Sequence, residues 1–453
     1  MSKKLQQISV PLISVFLGIL LGAIVMWIFG YDAIWGYEEL FYTAFGSLRG
    51  IGEIFRAMGP LVLIGLGFAV ASRAGFFNVG LPGQALAGWI LSGWFALSNP
   101  DMPRLVLIPL TVIIALIAGG IVGAIVMWIF GYDAIWGYEE LFYTAFGSLR
   151  GVGEIFRAMG PLVLIGLGFA VASRAGFFNV GLPGQALAGW ILSGWFALSN
   201  PDMPRLILIP LTVIIALIAG GIVGAIPGIL RAYLGTSEVI VTIMMNYIVL
   251  YVGNAFIHAF PKDIMQSTDS TIRVSANATY QTQWLSELTG NSRMNIGIFF
   301  AIIAVGVIWF LLKKTTLGFE IRAVGLNPNA SEYAGISAKR TIILSMIISG
   351  ALAGLGGAVE GLGTFQNVYV QGSSLAIGFN GMAVSLLASN SPIGILFAAF
   401  LFGVLQVGAP GMNTAQVPSE LVSIVTASII FFVSVHYLIE RFVKPKKQVK
   451  GGK

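Results

Sequence analysis

Residues 22–125 return almost unchanged as residues 123–226, an offset of 101. Of the 104 aligned pairs only two differ, Ile51 against Val152 and Val106 against Ile207, both aliphatic exchanges. Solenoids and propellers repeat every 20–50 residues or so, with units that diverge because each meets different neighbours. Transporter inverted repeats are also weak in sequence. Near-identity over this length is the mark of a recent in-frame duplication or of an error in assembling the sequence. Its edges carry the trace of a crossover at a shared stretch: Gly22-Ala23-Ile24 recurs as Gly123-Ala124-Ile125 and as Gly224-Ala225-Ile226. The working length is therefore that of the chain less one copy, 453 minus 101 or 352 residues. It divides as 1–122 with the first copy, 123–226 as the second, and 227–453 as a C-terminal membrane region.

Hydrophobic residues make up 57% of the chain and charged residues 10%, against about 25% charged in a soluble domain. The apolar residues run in long blocks rather than at helical spacing. Together these predict an all-α polytopic membrane protein, with each span needing about 20 apolar residues. The 58 glycines suit close helix packing, where the hydrophobic effect gives no help. With no cysteine there is no disulfide framework, thiol chemistry or cysteine metal site. The net charge of +6 reflects basic residues beside apolar segments rather than a nucleic-acid surface. Lys3 and Lys4 before an apolar run look like a signal peptide, but no small-residue cleavage site follows, so this is read as a first span.

Apolar segments fall near 9–29, 57–75, 83–98 and 105–131, and the copies near 160–176, 184–199 and 206–229. Others follow near 238–260, 295–312, 341–363, 375–389, 392–409 and 420–440, which brings the chain to about 13 such segments. The mixed stretches 37–57 and 138–158 read as interfacial helices. Residues 261–294 are a polar loop, and 313–340 a second polar segment with Lys313, Lys314, Arg322, Lys339 and Arg340. With one copy deleted, about ten spans remain. Starting from a cytoplasmic N-terminus, every basic cluster, including the tail from Arg441 to Lys453, then falls inside.

The duplicated chain breaks this order. Its apolar run 105–131 is 27 residues long, about 40 Å as a helix, and crosses a core of about 30 Å once but not twice. The copy thus adds three crossings, and an odd number inverts everything downstream. One copied segment must stay at the interface, or an interfacial helix must span.

The most specific stretch is 313–340. Asn327-Pro328 is a helix start, and Gly325 and Gly335 bracket a short helix with a small apolar face of Ala330, Tyr333 and Ala334. Such a helix can enter a groove of a partner. It can equally be an ordinary basic loop.

The stretch GFEIRAVGLNPNASEYAGI at 318–336 resembles the coupling segment of ABC-importer permeases of the branched-chain amino acid, ribose and nucleoside superfamily. Four more stretches resemble its nucleoside-type, simple-sugar-like branch. They are GFFNVGLPGQALAGW at 75–89 and 176–190, TSEVIVTIMMNYI at 236–248, SGALAGLGGAVEGLG at 349–363 and GFNGMAVSLLASNSPIGIL at 378–396. With one copy removed the resemblance covers the whole chain. It implies a permease subunit of the bacterial inner membrane, with both termini cytoplasmic in the unduplicated topology. It also implies a second homologous permease, cytoplasmic ABC ATPase subunits and an extracytoplasmic substrate-binding protein as partners. The ATPase contact carries over to Gly318, Glu320, Gly325, Asn327, Pro328, Ala330, Tyr333, Ala334 and Gly335. The duplication departs from the family pattern. There is no GxxxxGK[ST] phosphate loop, the only Gly-Lys pair being Gly452-Lys453, so ATP hydrolysis belongs to a partner and no cofactor is expected on this chain.

Polar residues inside spans are costly and thus candidates for the solute path. Asn179 and Gln185 (copies Asn78 and Gln84) flank Gly181, Pro183 and Gly184 in a broken-helix sequence, or else cap a plain helical turn. Asn246 and Asn380 lie in apolar stretches, where each can meet solute or a neighbouring helix. Glu360 is the acidic residue within an apolar stretch of the later half. With no matching Asp, His or Arg there, a packing or interfacial role is favoured over proton carriage. Trp27, Phe76, Phe77, Trp89, Trp94 and their copies can stack on a base or form interfacial belts. His258 and His436 lie far apart, which predicts no metal site, and no nucleophile–base pair is present. Spans nearly free of charge fit a neutral polar solute, a nucleoside before a sugar or amino acid. The rival readings are an ion-coupled secondary transporter and a non-functional duplicated chain or assembly artefact.

Overall fold

The computed structural model describes residues 3–28, 30, 32–73 and 134–415. The chain forms two compact units, Met1–Phe130 and Gly131–Lys453. The copies Asn78 and Gln84, the apolar segments 83–98, 105–131 and 420–440, and the basic tail lie outside the described residues.

In the first unit, α1 (Lys3–Ile28), α2 (Ala33–Phe45) and α3 (Leu48–Arg73) follow one another. The Asp32 side chain caps α2, accepting from the N–H groups of Ile34 and Trp35 at 2.9 and 3.0 Å, which satisfies two of the first-turn donors. The Tyr37 hydroxyl ties α2 to α1 by donating to the Ile19 carbonyl at 2.7 Å. No residue from 48 to 64 of α3 is buried.

The second unit begins with the same two helices, now α4 (Ala134–Phe146) and α5 (Leu149–Arg174). Each starts and stops at the residue equivalent to its twin's. Ser148 caps α5 through the N–H of Gly151 at 3.0 Å, as Ser47 bonds Gly50 in the first copy at 3.0 Å. Local sequence alone thus sets these helices, and the break at Gly147-Ser148 corrects the expectation of one interfacial helix over 138–158. Residues 149–158 are instead the first part of a 26-residue helix.

The body continues with α6 (Leu182–Ser199), α7 (Arg205–Leu234), α8 (Glu238–His258), α9 (Gln283–Leu288), α10 (Gly297–Lys314), α11 (Thr316–Leu326), α12 (Pro328–Tyr333), α13 (Ala338–Ala358), α14 (Ala376–Leu387) and α15 (Pro392–Gly408). Strands β1 (Met265–Ser267) and β2 (Ser270–Thr271) pair in the loop after α8. Among the described residues, six helices are long and apolar enough to cross a membrane: α5, α7, α8, α10, α13 with its extension to Phe365, and α15 with its extension to Gly411. The apolar segment near 375–389 holds only the 12 residues of α14, about 18 Å of helix, so α14 alone does not cross a core of about 30 Å.

The core forms around α5 and α13. From Ala158 to Ala172 every residue of α5 is buried, enclosed by α13, α14, α15 and α10. Helix α13 crosses α7 and α6 on small residues. A Cβ on Gly354 would run into the backbone of Ala216 and Gly220 on α7, and one on Gly189 of α6 would strike Gly354. Backbones that approach this closely gain dispersion contacts in an environment without a hydrophobic drive.

The two polar segments lie at opposite ends of the body. The segment 313–340 meets the end of α5 at Arg174, where Gly325 packs on the Arg174 carbonyl. The loop after α8 meets the start of α5, where Gly290 packs on Arg150.

Candidate functional site

At the end of the body that carries residues 313–340, α5 stops after Arg174 and residues 175–181 lead into α6. Gly176 takes φ +84° against the backbone of Gly325, a left-handed conformation that side chains rarely adopt. Three expected polar residues converge on this turn. Asn179, Gln185 and Asn246 are all buried. The Asn179 amide donates to Gln185 Oε1 at 2.9 Å and to Ser349 Oγ at 2.8 Å, and its oxygen accepts from the Gly181 N–H at 3.0 Å. Asn246 clasps the turn from α8, accepting from the Gly184 N–H at 2.8 Å and donating to the Val180 carbonyl at 2.9 Å. Thr242, one turn earlier on α8, accepts from the Val180 N–H at 3.3 Å. The cluster therefore holds irregular backbone that would otherwise be unpaired inside the protein. Thr242 and Ser349 escaped the sequence reading, although both sit in quoted motifs, because lone hydroxyls in helices are common.

The segment 313–340 has the helix start and turn its sequence predicts. Asn327 caps α12, its side chain accepting from the Ala330 N–H at 3.1 Å, with Pro328 in the first turn. Gly335 turns the chain out with φ +83°, and Ser337 caps α13. Gly318 packs against Leu311 and Leu312 of α10, and Gly325 against Arg174 and Ala175, so α11 is anchored on two membrane helices. Glu320 is half-buried. Pro328, Ala330, Ala334 and Gly335 are exposed, and Tyr333 and Leu326 stand 93% and 88% exposed. Among the described residues of α12 only Ser331 is buried. Arg174 donates from Nε and Nη2 to the Asn390 carbonyl at 3.1 and 3.0 Å, joining this layer to the turn after α14.

At the opposite end, Glu154 and Arg157 pair at 2.6 Å with side chains 12% and 10% exposed, and Arg293 joins Glu154 at 3.2 Å. Arg157 donates to Thr364 Oγ1 at 3.2 Å, and Thr364 donates to Glu360 Oε2 at 3.2 Å. Glu360 thus belongs to a chain of charged and polar groups on three elements, which corrects the expectation that no Arg matches it. The partner lies 203 residues away in sequence, in a stretch taken for interfacial, and so left no local signal. Residues 359–365 form a π-helical turn, whose wider register changes the internal carbonyl pairing. The Leu362 carbonyl accepts from the Tyr280 N–H at 3.2 Å and that of Gly363 from Gln281 Nε2 at 3.0 Å. Tyr280 is fully buried at this junction, with its hydroxyl 3.0 Å from Thr212, and burial pushes its phenol up from the ordinary tyrosine value. Trp190, the copy of Trp89, is buried face to face with Phe365 at 5.1 Å, while Phe365 is itself exposed.

Asn380, the remaining expected residue, lies on α14 and is not part of the Asn179 cluster. It is half-buried, and its side chain makes no hydrogen bond to the described residues. Among those residues no group of three His, Asp or Glu side chains could hold a metal ion.

Residues 151–434 match the family described as branched-chain amino acid transport system, permease component. The nucleoside ABC transporter permease protein NupB of Lactococcus lactis subsp. cremoris is 58% identical over 352 residues, covering 77% of this chain and 96% of that protein. The guanosine ABC transporter permease protein NupP of Bacillus subtilis is 45% identical over 347 residues, covering 76% of this chain and 97% of that protein. The glucose ABC transporter permease protein TsgB13 of Haloferax volcanii is 29% identical over 345 residues, covering 74% and 88%. No solved structure matches. The NupB alignment takes in nearly all of that relative and leaves 23% of this chain unmatched, 100 minus 77, which is the share one copy occupies. The chain is a multi-pass membrane transport subunit and belongs to the branched-chain amino acid transport system permease family.

Proposed function

We propose that this chain is the permease subunit of an ATP-driven nucleoside importer of a bacterial inner membrane, working by alternating access. The observation that carries the reading is 58% identity to a nucleoside permease across 96% of that protein, seconded by the guanosine permease at 45%. Spans nearly free of charge agree with a neutral solute. A sugar is the second reading, favoured by the 29% identity to a glucose permease.

In this reading the working unit has about ten spans with both termini cytoplasmic, and residues 123–226 rather than 22–125 take the native place. The burial of α5 supports that choice, since its twin α3 has no buried residue from 48 to 64. ABC ATPase subunits grip Gly318, Glu320, Gly325 and the exposed α12 surface of Asn327, Pro328, Ala330, Tyr333, Ala334 and Gly335. A second homologous permease completes the pathway and an extracytoplasmic binding protein delivers solute. Asn179, Gln185 and Asn246 hold the turn that leans on the coupling segment, so ATPase closure reaches the path through Gly325 and Gly176. No cofactor sits on this chain and no nucleic acid is a partner.

The test is uptake of labelled guanosine, uridine and glucose by cells carrying this chain with its ATPase, partner permease and binding protein. Nucleoside uptake that stops when the ATPase is inactivated supports the reading, and glucose uptake alone overturns it. An ion-coupled transporter would instead keep moving solute without the ATPase and lose activity in Glu360→Gln.

A further inference from the structure

The stretch that contains α14 is discontinuous, and its irregular half carries polar groups that bond none of the described residues. Beyond the π-helical turn, Gln366 reverses the chain with φ 61°. Residues 367–375 then run inward without helix, and α14 starts only at Ala376. Depth can be read against α5. Gly381 packs on Ile165 and Gly166, and Asn390 bonds Ser173 at 2.8 Å. At 1.5 Å per residue, Gly166 is about 12 Å from the inner end of α5, and Ala376 about 8 Å farther out, near mid-membrane.

Gln371 is still held. Its N–H donates to Asn254 Oδ1 at 3.0 Å, and Asn254 Nδ2 donates to its carbonyl at 2.8 Å. From Gly372 to Ile377, six consecutive backbone N–H groups donate to none of the described residues, and the side chains of Ser373, Ser374 and Asn380 bond none either. Gly372, Ser373, Ala376 and Phe379 are exposed. Irregular backbone persists at membrane depth only where protein covers it or where it lines a water-filled path. The chain around it is also neutral: from 361 to 419 the sequence has no Asp, Glu, Lys, Arg or His.

We propose that residues 372–380 line the solute path and bind the solute. Their N–H groups, the hydroxyls of Ser373 and Ser374 and the Asn380 amide hydrogen-bond a neutral, acceptor-rich ligand, and Phe379 offers its ring to a flat heterocycle. Resting on the reading above, that ligand is a nucleoside, with ribose hydroxyls and base carbonyls as partners. Donors without a fixed counter-charge suit a transporter, which must release what it binds.

The test uses the assembled importer in cells. This chain has no cysteine, so label on it reports the introduced residue alone. Ser374→Cys is treated with an impermeant, biotin-bearing thiol reagent, with and without saturating guanosine and binding protein. The expected result is labelling of this chain, slowed about fivefold or more by guanosine, and a rise of about tenfold in the KM for guanosine uptake in Asn380→Ala at unchanged chain abundance. If Ser374→Cys fails to reach the membrane, Ser373→Cys replaces it. A segment covered by the partner permease would give no labelling in the assembled importer and strong labelling of this chain alone, and that result overturns the proposal. Labelling indifferent to guanosine, with guanosine uptake intact, also overturns it and leaves the nucleoside reading standing. Absence of nucleoside uptake in the unsubstituted importer sinks the nucleoside reading instead.

Discussion

Asn246 shows what a single amide does in this body. It closes two hydrogen bonds to the backbone of the 175–184 turn, at Gly184 and Val180, from a side chain only 3% exposed. Removing it strands a buried donor and a buried acceptor, so Asn246→Ala should lower stability by about 2–4 kcal/mol. A fall in the apparent unfolding temperature of the purified chain measures this. Asn380→Ala removes an amide with no bond to the described residues and should stay within about 0.5 kcal/mol. Equal losses in the two variants would refute the division of labour between them. The sequence marks all these polar residues, because a polar side chain in an apolar run is conspicuous. It does not separate the clasping amides from the unbonded one. That distinction depends on Val180 and Gly184 lying beside Asn246, more than 60 residues on in sequence. The link from Arg157 through Thr364 to Glu360 is hidden for the same reason.

At the scale of elements, local rules carry far. The cap at Asn327, the turn at Gly335 and the cap at Ser337 are all legible, since each is a short-range matter of backbone geometry and one side chain. The lengths of α5 and α14 are not, because Gly147-Ser148 breaks a mixed stretch that reads as one helix and α14 starts late, at Ala376, inside an apolar one. Helix α12 offers a test of coupling that stability does not confound. Tyr333 is 93% exposed, so Tyr333→Ala should leave chain abundance unchanged while lowering ATP-driven nucleoside uptake about tenfold or more, as loss of an aromatic anchor at an interface does. Undiminished uptake would remove Tyr333 from the ATPase contact. Gly325→Val should fail differently. Its side chain would enter the Arg174 backbone and disturb the turn at Gly176, so both assembly with the ATPase and uptake should be lost.

The whole molecule contains its own control experiment. Helices α3 and α5 differ only at Ile51 and Val152 and share their bounds. Yet the Glu53–Arg56 pair has side chains 56% and 76% exposed, while the equivalent Glu154–Arg157 pair is 12% and 10% exposed. In these two helices secondary structure follows sequence, and burial follows surroundings. Deleting residues 22–122 restores a single copy and an even topology, and should leave nucleoside uptake within about twofold of the full chain or above it, at equal abundance. A collapse of uptake would mean that the first copy contributes to the working transporter. Sidedness follows the same logic. Ser337→Cys should be shielded from an impermeant thiol reagent in intact cells for both the full and shortened chains, and labelling in the full chain alone would show that the extra crossings invert its second unit.

Two inserts that present the same side chains to α13 and α15 cannot be told apart by affinity, so the choice between them falls to the tether. Helix α7 carries the second copy past Ile226 into Pro227 without a break. The second copy therefore meets its cradle at a far higher effective concentration than the first. The first copy, though, leaves the ribosome earlier and waits longest for a cradle not yet made. The outcome of folding is thus set by connectivity and order of synthesis, and a clone expressing residues 131–453 with the first copy supplied in trans would turn that race into a measurable competition.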